Sequence, residues 1–173
     1  MLDFTIPSKV KLFFGLIFSN LESFQKVKSI LESKYGNIDF QSPIIDFNFT
    51  DYYQPEMGQN LKRTFISIEK LICSQEITRI KKFSVSLEKK FSKDKKRIIN
   101  IDPGYITQAN IILSTTKDFS HRIHIKDGIF AEVTLLYHDK QFKDLPWTFP
   151  DYRTKEYKEY FYKIRSIYRK QLK

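Results

Sequence analysis

The chain predicts an α+β fold: a ferredoxin-like split β-α-β core, mainly antiparallel with its helices on one face, extended by a β-hairpin and a C-terminal helix. Three observations carry this. Apolar runs of strand length alternate with helical patterns in the order strand-helix-strand, strand-helix-strand. The link between the second and third strands is a polar loop without a helix, which argues against a doubly wound parallel sheet. An Asp127-Gly128 dipeptide between two strand-like runs suits a two-residue type I′ hairpin turn.

Lys9 to Phe18 (KVKLFFGLIF) is apolar at nearly every position and reads as a buried strand. Ser19-Asn20-Leu21-Glu22 has the pattern of a capping box. The helix after it places Leu21, Phe24, Val27, Leu31 and Tyr35 at spacings of three and four, and Gly36 closes it. Ile38 to Phe49 is extended, with Pro43 assigning it to an edge or a bulge. Asp51 to Lys62 is a polar, aromatic-bearing loop, and Arg63 to Ile72 is a third strand. Ser74 caps a second helix that turns Ile77, Ile80, Phe83, Leu87 and Phe91 inward. Arg97 to Ile101 is a fourth strand, stopped by Asp102-Pro103-Gly104 acting as a turn.

Residues 1–173 read as one domain, with the core over about 9–104 and the extension over about 105–173. In the extension, Ala109 to Thr115 is a strand, and His121 to Ile125 pairs with Ile129 to Tyr137 as the hairpin. A last helix from about Thr154 carries Tyr157, Phe161, Ile164, Tyr168 and Leu172 along one stripe.

The 173 residues, 41% hydrophobic and 16% aromatic, suit a compact protein that buries about two-thirds of its unfolded surface without metals or disulfides. The single Cys73 forms no internal disulfide and points to a cytoplasmic setting. The N-terminal MLDFTIPSKVK lacks the order of a signal peptide, and the longest apolar run, Leu12 to Phe18, is too short to cross a bilayer. The expectation is a soluble protein without membrane association.

The net charge of +10 is uneven. Arg79 to Arg97 holds nine basic and two acidic residues, and Asp151 to Lys173 eight and three. Solvated helix faces account for such runs in most proteins. RNA is the alternative partner, with tyrosines among the cations of the last helix to stack on bases.

Site-capable residues concentrate between Asn100 and Glu132. In the hairpin register set by Asp127 and Gly128, His121, Ile123, Glu132 and Thr134 share one face, and Arg122 and His124 the other. His121 and Glu132 thereby become diagonal neighbours able to move a proton. A buried histidine satisfied by a carboxylate is the equally good structural reading. Thr115, Thr116, Lys117 and Asp118 precede the hairpin and suit an anion such as phosphate. A second polar group, Asp51, Tyr52, Tyr53, Glu56, Lys62 and Arg63, falls at the same sheet edge in this topology. Between them a phosphorylated small molecule or nucleotide fits. Lys62, Arg63, Lys117 and Arg122 would bind its oxygens, with Tyr52, Tyr105, Thr115 and Thr116 beside them. Asp51 and Glu56 would hold a divalent cation such as magnesium. Metal-assisted phosphoryl transfer or hydrolysis would follow, against the alternative of a non-catalytic interaction subunit. Asp102 is a further catalytic candidate, although the topology leaves it at the opposite edge. No phosphate-binding glycine loop, H-E-x-x-H, C-x-x-C or G-x-S-x-G occurs, which argues against a conventional GTPase.

KLFFGLIFS, TDYYQPEMGQNLKR, NIDPGY, STTKDFSHRI, GIFAEVTLLY and PWTFPDYR occur in that order. Together they resemble the bacterial family called domain of unknown function 4416, over about Val10 to Leu172. The resemblance implies a small single-domain bacterial protein without an assigned activity. Some members carry the label GTP-binding protein, which the missing phosphate loop here does not support. The resemblance marks the motif residues as characteristic and gives them no roles.

Overall fold

The computed structural model describes residues 5, 7–94 and 96–173. Part of the N-terminal segment read for a targeting signal (1–4 and 6), and Lys95 of the basic run, lie outside them.

The first half contains β1 (Lys11–Phe18), α1 (Leu21–Tyr35), β2 (Ile38–Gln41), β3 (Ile45–Asp46), the short α2 (Gln54–Met57) and β4 (Lys62–Ile68). A 3-10 turn at Ser74–Glu76 leads into α3 (Ile77–Lys90), followed by β5 (Ile99–Ile106) and β6 (Asn110–Thr115). Then come β7 (Ile123–Lys126), β8 (Ile129–His138), β9 (Gln141–Asp144) and α4 (Lys155–Gln171). Among the described residues nine strands form one antiparallel sheet in the order β2-β4-β1-β5-β6-β8-β7, with β3 on β4 and β9 on β8. The first four positions are core strands two, three, one and four. This is the expected split β-α-β arrangement. No helix among the described residues is long and apolar enough to cross a membrane.

All eight residues of β1 are buried because both of its faces are covered. Leu12, Phe14, Leu16 and Phe18 meet Phe24, Val27 and Leu31 of α1 and Ile77, Ile80 and Leu87 of α3. On the opposite face Phe13 and Phe65 meet Tyr157, Phe161 and Ile164 of α4. Thus the core helices share one face as expected, while α4 makes a third layer on the other. The Arg165 guanidinium lies 3.4 Å from the Tyr137 ring centroid and donates to the Gln108 carbonyl, pinning α4 to the extension. Tyr157, Tyr160 and Tyr168 are buried, leaving Tyr162 as the exposed tyrosine of α4.

Several local expectations change. Asn20, not a capping box, caps α1: its side chain accepts from the Ser23 amide. The Cys73 amide binds Glu76 at the start of the 3-10 turn, where Ser74 was expected to cap. The second strand divides around Pro43, and the Ser42 hydroxyl accepts the Phe65 amide there at 2.9 Å. The fourth strand does not stop at Ile101. It runs to Ile106, and Asp102-Pro103-Gly104 lies inside it, paired with Gly15, Phe14 and Phe13. Asp127 and Gly128 do form the hairpin turn, both with positive φ. Beyond Lys126↔Ile129 a bulge shifts the register, setting Ile123 opposite Ala131 and not Glu132.

Candidate functional site

The shape of the site follows from one interrupted ladder. β5 pairs with β1 over its whole length but with β6 only from Gly104 to Ile106. Pro103 has no amide to continue that ladder. At Gly104 the strands press together: a Cβ there would lie 2.5 Å from the Ile112 carbonyl oxygen and 2.6 Å from Phe13 Cζ. Beyond this pinch β5 and β6 separate, and side chains take the place of a strand. The Ile101 amide donates to Glu88 (2.6 Å), and its carbonyl accepts from Lys81 (3.3 Å). The Ser114 hydroxyl donates to the Pro103 carbonyl at 2.7 Å. Lys81 and Glu88 are therefore buried on α3 although both are charged.

The gap opens into a cavity of about 530 Å³. Its walls are the β5 and β6 ends, α3, the segment around Phe47–Tyr53, the turn after Thr115 and the Phe149–Tyr152 corner. Five cations reach it: Arg63, Lys81, Arg97, Lys117 and Arg122. Four carboxylates, Glu88, Asp102, Glu132 and Asp151, lie among them.

Arg63 on β4 is 2% exposed. Its guanidinium lies over Gly15, where a Cβ would come within 3.3 Å of Nη2. Rings of Phe65, Tyr152, Phe47 and Tyr157 surround it at 4.5 to 5.7 Å. Nη2 donates to the Tyr152 hydroxyl (3.2 Å) and lies 3.5 Å from Asp151, while Nε and Nη1 have no hydrogen-bond partner. Burial raises the Asp151 pKa above its ordinary value, and Arg63 opposes that shift. Burial likewise raises Glu88. Arg97 is held from behind by Glu56, its Nε 2.9 Å from both carboxylate oxygens. That hydrogen bonding keeps Glu56 below its ordinary pKa. Asp102 accepts from Asn100 (2.7 Å) and Lys81 (3.2 Å). Lys117 donates to the Tyr52 hydroxyl, lies 4.2 Å from that ring's centroid and forms no ion pair among the described residues.

Of the residues expected from sequence, Tyr52, Arg63, Asp102, Thr115, Thr116, Lys117, Arg122 and Glu132 line this cavity. Asp102 is a correction, because its strand continues into the site and does not end at the far edge. His121 and Glu132 do meet, with Nε2 and Oε2 2.9 Å apart. His121 itself stands behind the wall, stacked on Trp147 at 5.0 Å. Arg122 is not on the opposite face. It lies ahead of β7, free of strand alternation, and its Nε donates to the same Glu132 oxygen at 2.9 Å. With Thr134 donating to the other oxygen, Glu132 is a buried anchor that aims Arg122 at the cavity.

The remaining expected residues lie elsewhere. Lys62 turns outward to Asp46. Tyr105 packs against the core beneath α1 and α3. Asp51 accepts from Gln54, and Glu56 is engaged by Arg97, so these two carboxylates do not converge on a cation. Among the described residues no group of three or more His, Cys, Asp or Glu side chains is arranged to hold a metal ion. Sequence reasoning missed Lys81, Glu88, Arg97, Asn100 and Asp151. Lys81 did leave a signal: it stands four residues after Ile77 and so falls on the inward stripe of α3.

Glu132→Gln keeps the shape of the anchor and removes its charge. We expect urea unfolding to show a loss of about 2 kcal/mol, the scale of a buried hydrogen bond to a charged group.

A family model described as Domain of unknown function (DUF4416) matches residues 8–168. No curated protein and no solved structure gives a significant match. The motifs that build the cavity wall, from Thr50 to Arg63, Asn100 to Tyr105, Ser114 to Ile123 and Pro146 to Arg153, all fall within the matched span. The chain belongs to the family of that domain.

Proposed function

We propose that this chain binds a phosphorylated small molecule in the cleft between β5 and β6. The carrying observation is Arg63, a buried guanidinium whose nearest carboxylate stands 3.5 Å away and whose Nε and Nη1 are without partners. A buried charge with unfilled donors is costly unless something else completes it. An anion in the adjoining cavity would answer that charge at short range. Lys117 and Arg122 approach the same space from the β6 side, which suits a group with several oxygens such as phosphate. The volume of about 530 Å³ falls within the range of small-molecule sites, about 300–1,000 Å³.

Should the bound molecule react, Asp102 is the carboxylate best placed to receive a proton, with Asn100 and Lys81 fixing its position. His121 and Glu132 serve this reading as positioning residues for Arg122. Exposed Cys73 agrees with a reducing, cytoplasmic setting, which forms part of the proposal.

The test is a thermal-shift and calorimetric screen of sugar phosphates and nucleotides, with and without magnesium. A ligand at a hundred times its Kd adds about 2.7 kcal/mol, or about 5–10 °C in Tm. Lys117→Ala is expected to weaken binding by about tenfold or more, because it removes a charged hydrogen bond. No stabilisation by any phosphate ester would overturn the reading.

A further inference from the structure

The floor of the cleft is charged, but its rim is aromatic. Phe49 and Tyr52 come from one wall segment and Phe149 from the opposite corner; all line the cavity, and they are 39%, 57% and 40% exposed. Each is anchored by another ring behind it: Phe49 by Tyr157 (5.9 Å), Tyr52 by Tyr53 (5.0 Å), Phe149 by Tyr152 (6.2 Å). Aromatic rings left open to solvent, yet held in place at one cavity, form a stacking surface.

The charged and aromatic parts are also coupled. Lys117 rests on the Tyr52 ring, 4.2 Å from its centroid, and donates to its hydroxyl. An anion that engages this ammonium is therefore held beside the aromatic rim. A simple inorganic anion would leave Phe49 and Phe149 unused, and an uncharged ring would leave Arg63, Lys117 and Arg122 unanswered.

We infer that the ligand is a phosphate ester carrying a flat aromatic or heteroaromatic ring, such as a nucleoside monophosphate, with the ring at the rim and the phosphate toward the cations. This inference rests on the phosphate-binding reading and narrows it. Tyr52 has two tasks, as a rim ring and as the acceptor that seats Lys117. Phe49 and Phe149 have only the first, which makes them the positions that separate ring recognition from charge recognition.

The experiment measures calorimetric Kd values for ribose 5-phosphate, adenosine 5′-monophosphate and uridine 5′-monophosphate, on the wild type and on the Phe49→Leu, Phe149→Leu double variant. Stacking on protein aromatics strengthens binding by about tenfold or more per base. The expected wild-type result is that at least one nucleotide binds about tenfold or more tighter than ribose 5-phosphate. In the double variant that ratio falls to about threefold or less. Because the readout is a ratio within one protein, a general loss of folding does not imitate it, and a Tm scan checks the fold directly. Ribose 5-phosphate binding lost in Arg63→Met, with nucleotides no tighter, overturns the ring inference and leaves the phosphate reading standing. Failure of all three ligands to bind overturns the ring inference, and failure of every phosphate ester in the wider screen overturns the phosphate reading with it.

Discussion

Arg63→Met is expected to weaken phosphate-ester binding by about a hundredfold or more while leaving the fold near or above wild-type stability at acid pH. Removing one partner of a buried charge pair costs about 2–5 kcal/mol, which corresponds to about that factor or more. Stability behaves differently. Loss of one partner of a buried ion pair costs about 3–5 kcal/mol while the other stays charged, whereas an apolar replacement beside a neutral partner is often neutral or stabilising. At acid pH Asp151 is protonated and the second case applies. Here the pair is long at 3.5 Å, two donors are unfilled, and the surrounding rings suit a flexible thioether. What remains is Asp151, whose pKa burial already raises and Arg63 restrains. Removing Arg63 raises it further. A carboxyl with a folded pKa above its unfolded one adds stability below the unfolded pKa, and that stability is lost as pH rises through the folded value. The variant should therefore lose ground to wild type as pH rises from the unfolded carboxyl value of about 4. Urea unfolding from that pH upward checks this, and adding Asp151→Asn should flatten the difference. Undiminished ligand affinity in Arg63→Met would refute the role given to the guanidinium.

The largest loss of stability is expected at Gly104. An alanine there would place its Cβ 2.5 Å from a backbone carbonyl and 2.6 Å from the Phe13 ring, in the middle of a sheet packed on both faces. The carbonyl belongs to β6 and the ring to β1, so relief requires moving a strand. Such overpacking costs about 3 kcal/mol, or about 6–12 °C in Tm for a chain of this size. Calorimetric melting of Gly104→Ala measures it. An unchanged Tm would mean that the two strands do not approach as closely as described.

Gly104 also shows why parts of this molecule were hidden in its sequence. Asp-Pro-Gly is a strong turn signal, and here it stands inside a strand. Proline ends one ladder only, glycine admits a close neighbour, and aspartate faces the gap the proline creates. Those are facts about tertiary neighbours, which local chemistry does not encode. By contrast β1, α1, the core strand order and the Asp127-Gly128 turn rest on hydrophobic period and turn residues alone, and they could be read directly. The His121–Glu132 pair was found although its assumed register was shifted by a bulge. Arg122 escapes strand alternation because β7 begins only at Ile123. Arg97 and Glu56 are 41 positions apart in an ion pair that no spacing rule reveals.

The substituted hydrogen bonds along β5 bear on which molecules the cleft turns away. A gap between two strands leaves backbone edges without a neighbour, and unpaired backbone ordinarily recruits an extended peptide. Here the Ile101 amide and carbonyl are already engaged by Glu88 and Lys81, and Pro103 offers no amide while its carbonyl is held by Ser114. A polypeptide laid along the Ile101–Pro103 stretch of β5 finds no ladder to join. On that side the opening is closed to strand addition and remains open to compact solutes.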